Sequence, residues 1–333
     1  KNLYLAQSNL DEIIRLNVDE ATKAQAAQNG DNNNQIAVAR ILKVFTYQVM
    51  TDTWGDIPYS SFGGSNATFD AGKADQGVIY AQYAKQELIY ADLLKELKEA
   101  SDQLNTGSSA FASGDAIYKG NALKWKKFAN SLSLRIANRV RNKLNEADNR
   151  IKEILANPAQ YPIFESNDDN ALLAFETNAP NQAPFYKATT LANRNDYAVS
   201  NVFVDFLQGK KAVSPVQDPR LSVYAQPNSK GNYVGQYYGM DMFTASLVSP
   251  DSVSKPGAAF YKSDYKEVLM EYAEVQFILS EYKNWDQQHY LNGIRASMQK
   301  WGISNTAVDS YLQSAPPASQ ETVLTQKWVA LFM

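Results

Sequence analysis

Apolar residues recur every three to four positions along most of this chain. In 267–285, EVLMEYAEVQFILSEYKNW, Val268, Tyr272, Val275 and Leu279 keep a helical period. Leu269, Ala273 and Ile278 widen the stripe, and Glu267, Glu271, Glu274 and Glu281 take the other side. So broad a face predicts a helix over 266–283 that packs on more than one neighbour. A second periodic run, 286–301, ends at Trp301-Gly302, where glycine is a natural helix stop. With a short polar join between them, the two runs predict an antiparallel hairpin. The same period predicts helices over 1–16 (Leu3, Leu10, Ile13, Ile14), 35–50 (Val38, Ile41, Leu42, Phe45, Val49) and 149–156. Two more are expected over 77–105, with Ile79, Tyr83, Leu88, Leu93, Leu94, Leu97 and Ala100 inside, and over 121–144. Asn121 is a ready cap for the last of these, whose buried face would be Leu123, Trp125, Phe128, Ala129, Leu132, Ile136, Ala137 and Val140.

The period fails in two places. Over 161–197 only Ala171 to Phe175 reads as a short strand, and the rest mixes Asn, Pro and aromatics. Over 227–262, Tyr233, Tyr237, Tyr238, Phe243, Phe260 and Tyr261 stand among Gly and Ser. A short helix over 199–207 lies between them. Long loops inside a helical protein are usually functional or disordered, and aromatic content this high argues against disorder. The expected fold class is therefore all-α, with few or no strands. A single helical domain over 1–333 is expected, with any local function sited in the two loop regions. Because the chain begins at Lys1 and stops inside the amphipathic run QKWVALFM, it reads as a fragment lacking segments at both ends.

Composition narrows the chemistry. There is no Cys and a single His, His289, so thiolate nucleophiles, disulfides, Cys-based metal sites and His-pair metal sites have no residues to build them. A net charge of −3 argues against a nucleic-acid partner, which would require a basic stripe. The aromatic count is high, with 20 Tyr, 14 Phe and 5 Trp. Aromatics fill cores, but in loops they also grip sugars and peptides.

Three clusters offer candidate chemistry. In TDTWGDIPY, at 51–59, Asp52 and Asp56 read either as an acid pair or metal ligands, or as a turn in which Asp52 caps, Trp54 and Tyr59 pack and Asp56 bonds local backbone; the second reading is favoured. The 121–144 helix carries a basic face, Lys124, Lys126, Lys127, Arg135, Arg139, Arg141 and Lys143, expected to pair with acidic neighbours such as the Glu-lined helix. Asp168, Asp169 and Asn170 offer oxygen ligands for an adventitious Ca²⁺, but no cofactor is implied. The loops supply the ligand-binding candidates: Phe185 and Tyr186 with Asn193, Arg194 and Asn195, and Tyr233, Tyr237 and Tyr238 with Asn232 and Gln236. A sugar ring stacks its C–H face on an aromatic side chain, burying area at roughly 25 cal/mol per Å², and its hydroxyls bond Asn, Gln or Arg. Core packing of Tyr186 or Tyr238 is the competing reading.

A set of segments in order along the chain resembles the SusD/RagB family, the SusD-like lipoproteins of Bacteroidetes-type outer membranes. They are TDTWGDIPY (51–59), IYADLLKELKEASDQL (89–104), GNALKWKKFANSLSLRIANR (120–139), DPRL (218–221), YAEVQFILSE (272–281), GIRASM with WGI (293–303) and QKWVALF (326–332). Among these, Asp52, Trp54, Gly55, Asp56, Pro58, Tyr59, Trp125, Arg135, Arg139, Asp218, Arg220 and Glu274 stand out as structural motif positions. The resemblance implies irregular tetratricopeptide-like helix pairs with long ligand loops. It also implies a cell-surface glycan-binding lipoprotein, some relatives binding peptides, which delivers its ligand to a SusC-like TonB-dependent transporter. Membrane contact would come only through an N-terminal lipid anchor outside this chain, and no catalysis is implied. A carboxylate-based helical glycosidase is the alternative; it would need a convergent acid and base, for which only Asp52 and Asp56 stand as candidates.

Overall fold

The computed structural model describes residues 2–332 apart from Ser65 and the side chain of Asp75. Lys1, Ser65 and Met333, which fall in the first expected helix, the loop before 77 and the final amphipathic run, lie outside the described residues. The fold is helical, at 54% of the chain. It divides into two compact units, Lys1–Glu165 and Ser166–Met333.

The first unit holds α1 (Asn2–Val18), α2 (Lys23–Ala26), α3 (Asn32–Trp54), α4 (Gln86–Gln103), α5 (Ala122–Val140) and α6 (Asn145–Ala156). The long helices pack in sequence order, α1 on α3, α3 on α4, α4 on α5 and α5 on α6. Such an array follows when each amphipathic helix must cover its stripe with the next one along the chain. Asn121 caps α5 as expected, accepting from the Lys124 N–H at 3.0 Å, and Asp31, accepting from the Asn34 N–H at 3.0 Å, starts α3 three residues before the expected position. Where α3 meets α4, the buried Arg40 guanidinium donates to Glu96 at 2.8 Å and Glu99 at 2.5 Å, both on α4.

Three expectations shift in this unit. The helix expected from residue 77 starts only at Gln86, because 83–84 instead form β2 (Tyr83–Ala84), antiparallel to β1 (Ile57–Pro58). Ile79 and Tyr83 are therefore exposed rather than inside. On α3 the buried arc runs through Val44, Tyr47 and Met50, and Val49 faces solvent; the helix touches α1, α4 and α5 together, so its covered face is set by three neighbours instead of one stripe. Leu88 and Leu123, expected inside, are also exposed.

The second unit contains β3 (Ala171–Ala174), α7 (Pro184–Tyr186), α8 (Asn201–Leu207), α9 (Leu221–Tyr224), α10 (Met242–Ser246), β4 (Lys266–Met270), α11 (Tyr272–Tyr282), α12 (Gln287–Lys300), α13 (Asn305–Ser314) and α14 (Gln320–Ala330). The helix expected over 266–283 is thus split. Residues 266–270 pair antiparallel with β3, Leu172 opposite Val268, and Glu271 is still extended before α11 begins. The apolar period ran through this junction because Val268 and Tyr272 belong to adjoining elements, each with one side turned inward. Glu271 and Glu274, expected on a polar face, are buried. Glu271 accepts from Lys300 at 2.6 Å, and Glu274 sits in the first turn of α11, where the helix dipole favours a carboxylate.

Packing of α11 on α12 turns on Gly293: a Cβ there would come within 2.7 Å of the Phe277 ring, so only glycine allows this approach. One core of the unit gathers Val199, Phe203, Phe206, Leu207, Leu221, Tyr224, Phe260 and Val329. Just before α9, the fully buried Arg220 donates from Nε and Nη2 to both oxygens of the buried Asp218, at 3.0 and 2.6 Å. It donates further to Ser297 on α12 and Gln326 on α14. Arg220 thereby ties a loop to two helices.

The buried charges set two expectations for stability. Arg220→Met strands the Asp218 carboxylate without its partner and should cost about 3–5 kcal/mol in denaturant unfolding followed by circular dichroism; replacing Asp218 and Arg220 together by Asn and Met should cost less than the single change. Burial, partly offset by Lys300, raises the Glu271 carboxyl above its ordinary range. The native chain therefore holds that proton more tightly than the unfolded chain, and the stability gained is full at acid pH and fades as pH climbs through the raised value. Glu271→Gln should accordingly be more stable relative to the parent at neutral pH than near pH ~4.5, close to the ordinary Glu value, which thermal melts at both pH values measure.

Candidate functional site

The loop region expected to carry function folds around a cavity of about 340 Å³ in the second unit, lined by Ala183, Pro184, Phe185, Ala188, Tyr197, Phe260, Tyr265 and Glu267. Local sequence builds its rim. Pro184 opens α7, and the chain then widens into a π-turn over 187–191. Thr189 donates its hydroxyl to the Phe185 carbonyl at 2.7 Å, and Asn193 takes a left-handed turn with φ 53°, a conformation Asn tolerates. This turn returns the chain so that Tyr197 meets Phe185 edge to face, centroids 4.9 Å apart. Tyr261 contacts the same ring at 5.1 Å, and Tyr265 contacts Phe260 at 5.6 Å. Phe260 belongs to the core, so the floor of the cavity is continuous with it, and Phe185 and Tyr265 pack against that core as well.

Polar groups at this site are few. Glu267, from β4, is the one charged lining residue. Partial burial raises its carboxyl above the ordinary range, an effect opposed by Lys300. Arg194 lies beside the rim with its guanidinium over Tyr197 at 4.9 Å, but it is paired with Asp196 at 2.7 Å.

The expected binding residues separate into groups. Phe185 lines the cavity and Arg194 touches Tyr197, whereas Tyr186 is half-buried beside them and Asn193 and Asn195 are exposed on the turn. Tyr233 packs against the core, and its carbonyl accepts from Gln208 at 3.1 Å. Tyr237 and Tyr238 are exposed, Tyr238 at 89%, next to the start of α8, where the Tyr238 N–H donates to Asn201. Met242, Phe243 and Leu247 extend this exposed apolar surface. Sequence reasoning overlooked Tyr197, Tyr265 and Glu267 as lining residues. Tyr197 closes the aperiodic stretch and was visible as one more loop aromatic, whereas Glu267 looked like a helix position because its strand partner is remote in sequence.

A family model with the description "Starch-binding associating with outer membrane" matches residues 2–333. The chain belongs to the SusD-like family. No curated protein matches it in sequence. Among solved structures, a chitin-binding protein is 25% identical, with a TM-score of 0.76 over 99% of this chain and 71% of its own. A SusD homolog from Bacteroides fragilis NCTC 9343 is 22% identical, with a TM-score of 0.75 over 99% of this chain and 73% of its own. A chitin-binding SusD homolog from Flavobacterium johnsoniae is 25% identical, with a TM-score of 0.70 over 90% of this chain and 66% of its own.

The motif positions of this SusD-like chain hold structure together. Asp52, at the end of α3, accepts from Arg139 at 2.9 Å and from the Tyr90 hydroxyl. Gly55 turns the chain with φ 75°. Asp56 accepts from the Gln86 N–H at 2.9 Å and from Lys85 at 2.8 Å, so it bonds backbone 30 residues away and not the local turn. These bonds hold the Asp56 carboxyl below its ordinary range. Beyond Pro58, in β1, Tyr59 is buried and donates to Asp92 at 2.8 Å, while Trp54 is 63% exposed, contrary to the packed role expected of it. Trp125 is buried and donates its indole N–H to Asp115 at 2.8 Å. On the basic face of α5, Arg135 is half-buried, Lys127 pairs with Glu165 at 2.6 Å and Arg139 with Asp52 at 2.9 Å. Asn170 accepts from the Tyr272 N–H at 2.7 Å. Among the described residues no cluster of three His, Cys, Asp or Glu side chains is arranged to hold a metal.

Replacing Asp52 by Asn keeps its shape but removes the charge that meets Arg139. The expected cost in urea unfolding is about 1 kcal/mol, and Trp54→Ala, at an exposed position, should stay within about 0.5 kcal/mol of the parent.

Proposed function

We propose that this SusD-like protein captures glycans at the cell surface and hands them to a TonB-dependent transporter of the outer membrane. The observation that carries the reading is an aromatic-walled cavity, rooted in the core, in a member of the SusD-like family. Phe185 and Tyr197 offer faces for the C–H side of a sugar ring, and exposed Tyr237 and Tyr238 offer a second stacking surface in the same unit. The two chitin-binding neighbours favour a glycan over a peptide. No helix among the described residues is long and apolar enough to cross a membrane, and in this reading attachment comes through a lipid anchor at the N-terminus of the full protein. The loops 178–197 and 231–243 face the transporter, so a bound sugar is enclosed between protein and barrel, where exclusion of water strengthens its hydrogen bonds.

Binding without catalysis is part of the proposal. Asp52 and Asp56, the acid pair that the sequence offered, are each held by their own cation and hydrogen-bond donors. A glycosidase needs an acid with a raised pKa beside an ionised partner, and Asp56 is shifted the other way.

Calorimetric titration with chitin oligosaccharides tests the site. Affinity of the isolated protein should be about micromolar, near 8 kcal/mol. Tyr197→Ala and Tyr238→Ala should each lose about 1–3 kcal/mol of it, with melting of Tyr238→Ala unchanged because that ring is exposed. Parent-like affinity in both variants would place the ligand elsewhere.

A further inference from the structure

The cavity has a charge character that glycan binding alone does not require. We propose that it takes a hexosamine unit bearing a free, protonated amine, in preference to an N-acetylated or an acidic sugar. This inference rests on the glycan-binding reading of the same site and names the sugar.

The lining argues for a cation. Its single charged residue is a carboxylate, Glu267, and the remaining walls are aromatic or small and apolar. Rings attract an ammonium through their negative faces, and Phe185, Tyr197, Phe260 and Tyr265 surround the space where one would sit. The cation acting on Glu267 is Lys300, and Lys300 is already bonded to Glu271 at 2.6 Å. Lys300 thus makes its ion pair with Glu271, and the Glu267 carboxylate lines the cavity without an ion pair of its own among the described residues. Of the cations on the rim turn, Arg194 is paired with Asp196 and Lys187 donates to the Pro180 carbonyl at 2.5 Å. An acidic sugar would bring its charge against Glu267 with no cation in the lining to receive it.

Size and shape argue for a sugar. A volume of about 340 Å³ lies at the small end of ligand sites, about 300–1,000 Å³, and suits one ring better than a length of polymer. A rigid pyranose presents an apolar face to Tyr197 while its amine reaches Glu267. A lysine side chain offers the charge but has only a flexible stem, whose ordering costs entropy. An N-acetylated unit keeps a single neutral N–H in place of the ammonium, so it loses both the ion–ion attraction to Glu267 and the attraction of a cation to the ring faces.

The test is calorimetry on the whole chain with three oligosaccharides of equal length, built from glucosamine, N-acetylglucosamine and a uronic acid, and with a lysine-containing peptide. At a pH where the sugar amine is protonated and Glu267 ionised, the glucosamine oligomer should bind at least about tenfold tighter than the acetylated one. In Glu267→Gln that preference should fall to about unity, with the circular dichroism spectrum unchanged. The uronic oligomer should be the weakest sugar ligand of the parent and should gain in the variant. Equal binding of the two hexosamine oligomers, or a preference that survives Glu267→Gln, overturns the inference while leaving glycan binding intact. Tighter binding of the peptide than of any sugar, or no sugar binding at all, overturns both readings.

Discussion

The second unit depends on one buried ion pair. Arg220 and Asp218 lie with no solvent exposure, and the guanidinium spreads its remaining donors to Ser297 and Gln326. A charge can be buried only if its partners satisfy it, so the pair holds three elements in a single arrangement: the loop before α9, α12 and α14. Tyr224, one turn further on, carries the constraint into the aromatic core. Its ring meets Phe203, Trp301 and Phe332, and its hydroxyl accepts from the Trp301 indole at 3.0 Å. Phe260 stacks on this group, and Phe260 is the cavity floor. The geometry of an irregular surface region is in this way inherited from a rigid core.

The same arrangement explains how loops without regular structure stay in place. Residues 199–201, 234–236 and 254 exchange backbone hydrogen bonds: Val199 donates to Ser254, Ser254 to Val234, Gln236 to Val199 and Asn201 to Gln236. These bonds satisfy backbone groups that would otherwise need water. They leave the side chains of Tyr237 and Tyr238 to face outward. A preformed surface of this kind loses little entropy when a ligand arrives, which suits a protein proposed to capture and release.

Charge plays different parts in the two units. In the first, Arg40 with Glu96 and Glu99, balanced by Lys95 at 3.0 Å from Glu99, and Arg139 with Asp52, fasten helix to helix. In the second, the cluster of Glu267, Glu271 and Lys300 is unbalanced by one carboxylate, and it borders a cavity. Balanced ion pairs between helices are structural in origin. Glu267, solvent-exposed on β4 and lining that cavity, makes no ion pair among the described residues, which is why it bears on the ligand.

By itself the sequence determined the helical class and the order of the long helices, because the 3.6-residue period and caps such as Asp31 and Asn121 are local properties of the chain. It also located both irregular aromatic regions and, through motifs spread from TDTWGDIPY to QKWVALF, the SusD-like resemblance. Only the tertiary structure decided what local pattern cannot carry. The segment 266–270 became a strand because its hydrogen-bond partner, 171–174, lies nearly a hundred residues earlier. Residues 77–85 left the helix because Pro58 and Ile57 captured Tyr83 and Ala84. The candidate site divided along the same line. Phe185 was legible as a loop aromatic, but its convergence with Tyr197, Tyr265 and Glu267 depends on a turn, a core and a strand pairing, which join residues remote in sequence that no local periodicity encodes.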